Sequence, residues 1–404
     1  MKSQSFRFLM MGQSLANLGD VLYIVGLISI LYEVSESPFI LALFPFINMF
    51  GRFSSGVMAP LLLDQYRLKS LLVFSQVSKT IFLFFLLLMI MLQGVPHIIG
   101  VLAFVLVIAF LDGWALPASH SMLPRLVEKS ELVKANSFFA VVNNTIQIGG
   151  WALGGVMVVL IGGQQVIWLT FVLFVLSILL LVKLVDPSPF HVEKVAGRVG
   201  KSIKEGWNTI WKNPLFRSIH VVIFFEALAN VVWIASILLV FVSEILQESE
   251  AWWGYVNTSF FVGMVVGGVI CSRFANSIEL HLKKLLIIFS FGTSIVTLLF
   301  GFNTIAWFSL GFAVLNGIFD QIKGVAVNTY LQKGATAEEL PKIYAAQGAL
   351  IALVFGVSSL FFGGVAEILG VRIAFLISGL LLLVAAIYVA VHHHQFSESL
   401  LDKS

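Results

Sequence analysis

Seven ionisable residues sit inside long apolar stretches of this 404-residue sequence: Asp20, Arg52, Lys79, Asp112, Glu226, Asp320 and Lys323. A charge at the middle of a bilayer costs about 3 kcal/mol or more, so such residues are paired or functional. Four acids face three bases. With all seven ionised, one negative charge is left over, so one carboxyl must carry a proton or hold a cation in turn. The chemistry open to such a set is proton exchange, with no covalent step.

Spacing ranks these residues. Gln13, Asn17 and Asp20 recur at i, i+4 and i+7 and so share one helix face, which makes Asp20 the first candidate for proton coupling. Glu226, with Asn230 and Trp233, repeats that pattern and is the second. Asp320 and Lys323 stand at i, i+3, close enough to neutralise each other as a structural pair, and Asn316 extends their stripe. Asp112 could pair with Arg52 or with Lys79, which lie at similar depths. Lys79 and Asp112 are therefore expected to be gating or structural charges. The residues expected to line a substrate cavity are Gln13, Asn17, Tyr23, Arg52, Asn230, Trp233, Asn316, Asp320 and Lys323.

Membrane helices must position these groups. The chain is 59% hydrophobic and 11% charged, with 37 Phe and a mean hydropathy of +0.99. A soluble protein carries roughly 25% charged residues. Apolar windows of about 20 residues predict twelve spans: 8–32, 38–62, 71–92, 97–118, 138–161, 165–185, 217–243, 252–272, 284–302, 305–327, 345–366 and 370–391. The first run is too long for a signal-peptide core and lacks a small-residue cleavage site, so it reads as a membrane helix and not a leader. A Pro-containing turn and a short charged connector join the fourth and fifth spans. The expected organisation is an N-terminal six-helix bundle (1–185), a linker (186–216), a C-terminal six-helix bundle (217–391) and a tail (392–404). Lys194, Arg198, Lys201, Lys204, Lys212 and Arg217, interleaved with Trp207, Ile210 and Trp211, suit either a basic amphipathic helix on an anionic membrane face or a solvated linker.

Lys and Arg crowd the loops on one side, including Arg67, Lys69, Arg125, Lys129, Lys134, Arg273, Lys283, Lys284, Lys333 and Lys342. The other side holds Glu33, Glu36, Glu244, Glu248 and Glu250, with Arg372 as its one basic residue. That asymmetry predicts a multi-pass protein with both termini cytoplasmic. His120, His220 and His392–His394 fall at span ends, where hydration would explain them. The halves also look related. A shift of 213 lays Gln13, Asn17 and Asp20 over Glu226, Asn230 and Trp233, and a shift of 208 lays Asp112 over Asp320. Parallel halves are a mark of transporters whose bundles rock about a central site.

Twelve spans split six and six by a basic loop resemble the major facilitator superfamily. FRFLMMGQSLANLGDVLYIVGL and LPRLVEKSELVKANSF resemble its macrolide-efflux branch of drug:proton antiporters. The resemblance implies an all-α fold of two six-helix bundles. It also implies a loop after span 2 that latches one conformation through charge contacts. Here that loop reads Asp64-Gln65-Tyr66-Arg67, so Asp64 and Arg67 are the implied gating charges, with Gln65 in place of an arginine. The span-5 antiporter motif reads Gly150-Trp151-Ala152-Leu153-Gly154-Gly155, with its proline missing.

No nucleotide-binding or ordered catalytic motif is present, and the single cysteine, Cys271, excludes an internal disulfide. The expectation is a non-enzymatic, monomeric carrier in the cell membrane with no cofactor, driven by a proton gradient. It would export amphipathic small molecules, contact membrane lipids and bind no metal or nucleic acid. Lipid or lysolipid translocation, or siderophore export, is the alternative on the same fold, with Arg52, Lys79 and Lys323 available to an anionic cargo. A receptor or scaffold that moves nothing is the third reading.

Overall fold

The computed structural model describes residues 4–34, 38–93, 98–186, 199–233, 235–249 and 251–396. Helices and the short connections between them make up these residues. The helices are α1 (Gln4–Val34), α2 (Pro38–Gln65), α3 (Leu68–Gln93), α4 (Ile98–Asp112), α5 (Ala115–Leu126), α6 (Leu132–Ile161), α7 (Gly163–Val182), α8 (Val199–Lys212) and α9 (Pro214–Ala229). They continue with α10 (Ala235–Glu244), α11 (Ala251–Arg273), α12 (Ala275–Glu279), α13 (Leu282–Phe302), α14 (Ala306–Gly334), α15 (Glu339–Leu369) and α16 (Val371–Val391). Eleven stretches among the described residues are long and apolar enough to cross a bilayer, and α2 stands where the second span is expected. Helices satisfy every backbone group internally, which is what a lipid environment requires.

Two local expectations change. The fourth span breaks at Gly113 and resumes as α5, so the Pro-containing turn is helix instead, and the connector shrinks to Val127–Glu131. Pro117 falls in the first turn of α5, where the missing N–H costs nothing. Gly113 lies against α2, and a Cβ there would stand 2.4 Å from the Ser55 Cβ. The seventh span is likewise not one helix: α9 ends at Ala229, and Asn230–Trp233 form a 3₁₀ turn before α10. Residue 234 lies outside the described residues. The regular face expected to join Glu226, Asn230 and Trp233 is therefore interrupted.

The chain forms two compact units. One comprises Met1–Glu128, Thr145–Trp207 and Ala337–Ala349, and the other Lys129–Asn144, Asn208–Thr336 and Leu350–Ser404. In the first unit α1 and α3 both pack on α7, while α4 packs on α2 and α3. Gly12, Gly19 and Gly26, seven residues apart, form a stripe on α1 that meets Leu181, Phe174 and Ile167 of α7. Small residues allow this approach where lipid supplies no hydrophobic drive between helices. In the second unit α11 packs on α14, and α13 on α14 and α16. A Cβ on Gly317 of α14 would sit 2.1 Å from the Phe260 carbonyl oxygen of α11, so only glycine fits.

The internal repeat keeps a register near 208 in its later spans, whereas α3 and α13 begin 214 residues apart. Gly162 (φ 86°) and Gly370 (φ 93°) start α7 and α16 with the left-handed backbone that favours glycine. They are 208 residues apart, as are Asp112 and Asp320. α6 begins at Leu132 and α15 at Glu339, 207 apart. The shift of 208 thus describes the later spans of each half, while the shift of 213 matches the offset of the second and third spans. The repeat also governs the exchange of segments between units: Lys129–Asn144 from half one belongs to the second unit, and Ala337–Ala349 from half two to the first.

Candidate functional site

The first unit holds a four-membered charge cluster. Lys79 Nζ on α3 donates to Asp20 Oδ1 at 3.0 Å and to Asp112 Oδ1 at 2.8 Å. Arg52 Nη2 on α2 lies 2.9 Å from Asp112 Oδ2. Lys79 is buried, and Arg52 is the open member, with 42% of its side chain exposed. Asp20 reaches Lys79 because α1 and α3 share α7 as their support. Phe174 of α7 lies beneath Gly19, and its ring centre is 4.7 Å from Lys79 Nζ, within the range of a cation–π contact. Ser75 Oγ donates to the Leu111 carbonyl at 2.7 Å and fixes α3 against the end of α4, where Asp112 sits. The cluster is neutral when fully ionised.

The second unit holds a three-membered cluster. Lys323 Nζ on α14 donates to Glu226 Oε1 on α9 at 2.6 Å and to Thr293 Oγ1 on α13 at 3.3 Å. It stands 3.6 Å from Asp320 Oδ1, at ion-pair but not hydrogen-bond distance. The expected Asp320–Lys323 pair is therefore the looser contact, and Glu226 is the principal partner. Asp320 is the open member, 33% exposed. Fully ionised, this cluster carries one net negative charge. The two clusters keep their acids at repeat-related places, on the first and fourth helices of each half, but the lysine comes from different helices.

Other expected site residues are more dispersed. Gln13 and Asn316 are buried and Asn17 is half-buried. Tyr23 belongs to the apolar core of the first unit with Leu27, Leu83 and Phe174. Asn230 caps α9. Trp233 packs into an aromatic core, with ring centroids 4.6 Å from Phe300 and 5.6 Å from Phe375. Arg67 is exposed, and the Asp64 side chain lies outside the described residues. Of the linker bases, Lys194 and Arg198 lie outside them too, as does the Lys201 side chain. His220 is not hydrated as expected: it is buried, with Nδ1 2.7 Å from the Phe216 carbonyl oxygen. Among the described residues no group of three or more metal-ligating side chains occurs. Phe174 and Thr293 were missed by sequence reasoning, because nothing singles out one Phe of 37, or one hydroxyl in an apolar helix.

Paired buried charges inside a bundle of membrane helices define a multi-pass membrane protein built around ionisable sites. Residues 9–275 match the sequence profile of the Major Facilitator Superfamily. The chain is 28% identical over 389 residues to the uncharacterized MFS-type transporter YfmI of Bacillus subtilis, covering 96% of each. It is 29% identical to YjbB of the same organism, covering 91% of this chain and 90% of that one. Its fold is that of the Escherichia coli fucose:proton symporter FucP (TM-score 0.75, 15% identity, 95% of this chain and 97% of that chain). It is also that of a bacterial homologue of the iron transporter ferroportin (TM-score 0.76, 14% identity, 96% and 98%). The chain belongs to the Major Facilitator Superfamily of membrane transporters.

Proposed function

We propose that this transporter exports amphipathic small molecules in exchange for protons, by alternating access. The observation that carries the reading is the disposition of the seven membrane charges. Each of the three bases lies within 3.0 Å of a carboxylate, and one carboxylate is left over, in the Glu226–Asp320–Lys323 cluster. Bases already held by carboxylates are poor receptors for an anionic cargo. That disfavours the siderophore and anionic-lipid alternative, for which Arg52, Lys79 and Lys323 would have to be free. A surplus carboxylate in a low-dielectric setting must be neutralised by a proton or by a cationic group.

Asp20 and Glu226 are the coupling residues of this scheme. Each faces a lysine, so protonating either loosens its contact to Lys79 or Lys323 and changes how α1 is tied to α3, or α9 to α14. The relatives' names support transport, and FucP's description as a proton symporter supports coupling to protons. The chain would act as a monomer in the cell membrane with both termini cytoplasmic, without a bound cofactor.

The test is efflux of a fluorescent cationic dye from proteoliposomes under an imposed pH gradient. Asp20→Asn keeps the Lys79–Asp112 contact, so the protein should fold while gradient-driven efflux falls at least tenfold. Unchanged gradient-driven efflux in that variant would exclude Asp20 from the coupling.

A further inference from the structure

We infer that the second unit carries a binding site for the phosphate headgroup of an anionic phospholipid, at the ends of α6 and α11. A cavity of about 390 Å³ is lined by Lys134, Ser272, Arg273, Phe274, Asn276 and Ser277. Lys134 is in the first turn of α6, and Arg273 is the last residue of α11. Two cations and three neutral donors thus converge on one hollow. Within the same unit Lys333 is already committed to Glu279. Lys134 and Arg273 make no such pair among the described residues. An anion with several acceptor oxygens is the ligand this donor set fits.

The surroundings point to lipid over a free anion. Val262, Val266 and Val269 of α11 are exposed and recur at i, i+4 and i+7, and Arg273 continues that row one turn further on. On α6, exposed Phe138 stands one turn beyond Lys134. Each helix therefore presents a base at its end and an apolar surface leading away from it, as a headgroup with acyl chains requires. Phe274, 55% exposed, borders the hollow.

The site joins two segments that are distant in sequence. Lys134 lies in the exchanged segment Lys129–Asn144. That segment is held by buried amide pairs: Asn136 with Gln332 at 2.6 and 3.1 Å, and Asn144 with Gln321 at 2.8 Å. Gly268 of α11 adds a close approach, since a Cβ there would lie 2.4 Å from Val141. A lipid phosphate bridging Lys134 and Arg273 would favour the arrangement in which this segment is docked, and would stabilise that state by its differential affinity.

The experiment titrates the purified full-length protein in detergent with dioleoylphosphatidylglycerol, dioleoylphosphatidylcholine or inorganic phosphate. It reads thermal unfolding, and bound lipid by native mass spectrometry. Phosphatidylglycerol should bind and raise the unfolding temperature, with little effect of the other two. Each of Lys134→Gln and Arg273→Gln should weaken binding about fivefold, the effect of one base at an anionic surface. Lys204→Gln with Lys212→Gln should leave it unchanged. Equal effects of phosphate and phosphatidylglycerol would overturn the lipid assignment. Undiminished phosphatidylglycerol binding by the Lys134→Gln/Arg273→Gln double variant would overturn the site.

Discussion

Replacing Lys323 with glutamine tests the reading of the second cluster most directly. The ammonium is buried, with only 3% of its side chain exposed, and serves Glu226 at 2.6 Å, Thr293 at 3.3 Å and Asp320 at 3.6 Å. At an effective dielectric constant of about 20, the gross attractions to the two carboxylates are about 6 and 5 kcal/mol. Desolvation of the ammonium offsets much of this. The net cost of leaving its buried partners uncompensated is about 3–5 kcal/mol, or two to nearly four powers of ten in the folded population. The Lys323→Gln protein would carry two unpaired carboxylates, so its deficit should shrink as the pH falls and one of them takes a proton. The double variant Lys323→Gln/Glu226→Gln restores the net charge of the original cluster and should recover most of the loss. Arg52→Gln is the contrast: Arg52 is 42% exposed and Asp112 keeps Lys79, so its cost should be about 1 kcal/mol or less. Thermal unfolding of the four proteins in detergent, at two pH values, measures all of this. Equal losses for Lys323→Gln and Arg52→Gln, or no recovery in the double variant, would refute the argument.

Two further outcomes follow from the packing. Asn136→Ala strands the buried Gln332 amide, which exchanges two hydrogen bonds with Asn136; it should cost about 1–3 kcal/mol in thermal unfolding, and Asn136→Leu/Gln332→Leu should cost less than the single change. Gly19→Leu must displace Phe174, whose ring a Cβ at that position would already meet at 2.6 Å; it should destabilise by about 1–3 kcal/mol and impair transport by disturbing Lys79, with Gly56→Ala, where a Cβ meets nothing within 4 Å, as the silent control.

Much of the architecture was legible because bilayer thickness fixes helix length, and a charge in an apolar run is conspicuous. The windows placed the spans, and the seven membrane charges proved to be the members of the two clusters. What the sequence hid was the third dimension. Nothing in the spacing of Asp20 tells that Lys79, fifty-nine residues away, will meet it, because that depends on α1 and α3 both leaning on α7. The i, i+3 rule overvalued the Asp320–Lys323 contact, since a long lysine chain can bend to a stronger partner on another helix. The break after Ala229 was invisible to hydropathy, which does not distinguish an α-helix from a 3₁₀ turn of the same residues. The exchanged segments were hidden too, because each continues an unbroken apolar helix.

The repeat, however, limits what the two clusters can be doing. Acids are retained on the first and fourth helices of each half while the lysine moves from the third helix, as Lys79, to the fourth, as Lys323. If the charges served only to hold helices together, either arrangement would suffice, and a neutral set in both halves would be the cheaper solution in lipid. Instead only the first half is balanced, by adding Arg52. In the second half the lysine leaves the fourth-helix carboxylate at arm's length and ties itself to the first helix through Glu226. That makes Asp320 the least constrained acid of the four, partly open and short of a full partner. The imbalance is confined to one unit, so a proton taken up there changes the charge of that unit alone. Under the proposed proton coupling, an unequal response of the two units to pH would let a proton bias the change of state, which two equally balanced clusters would not do.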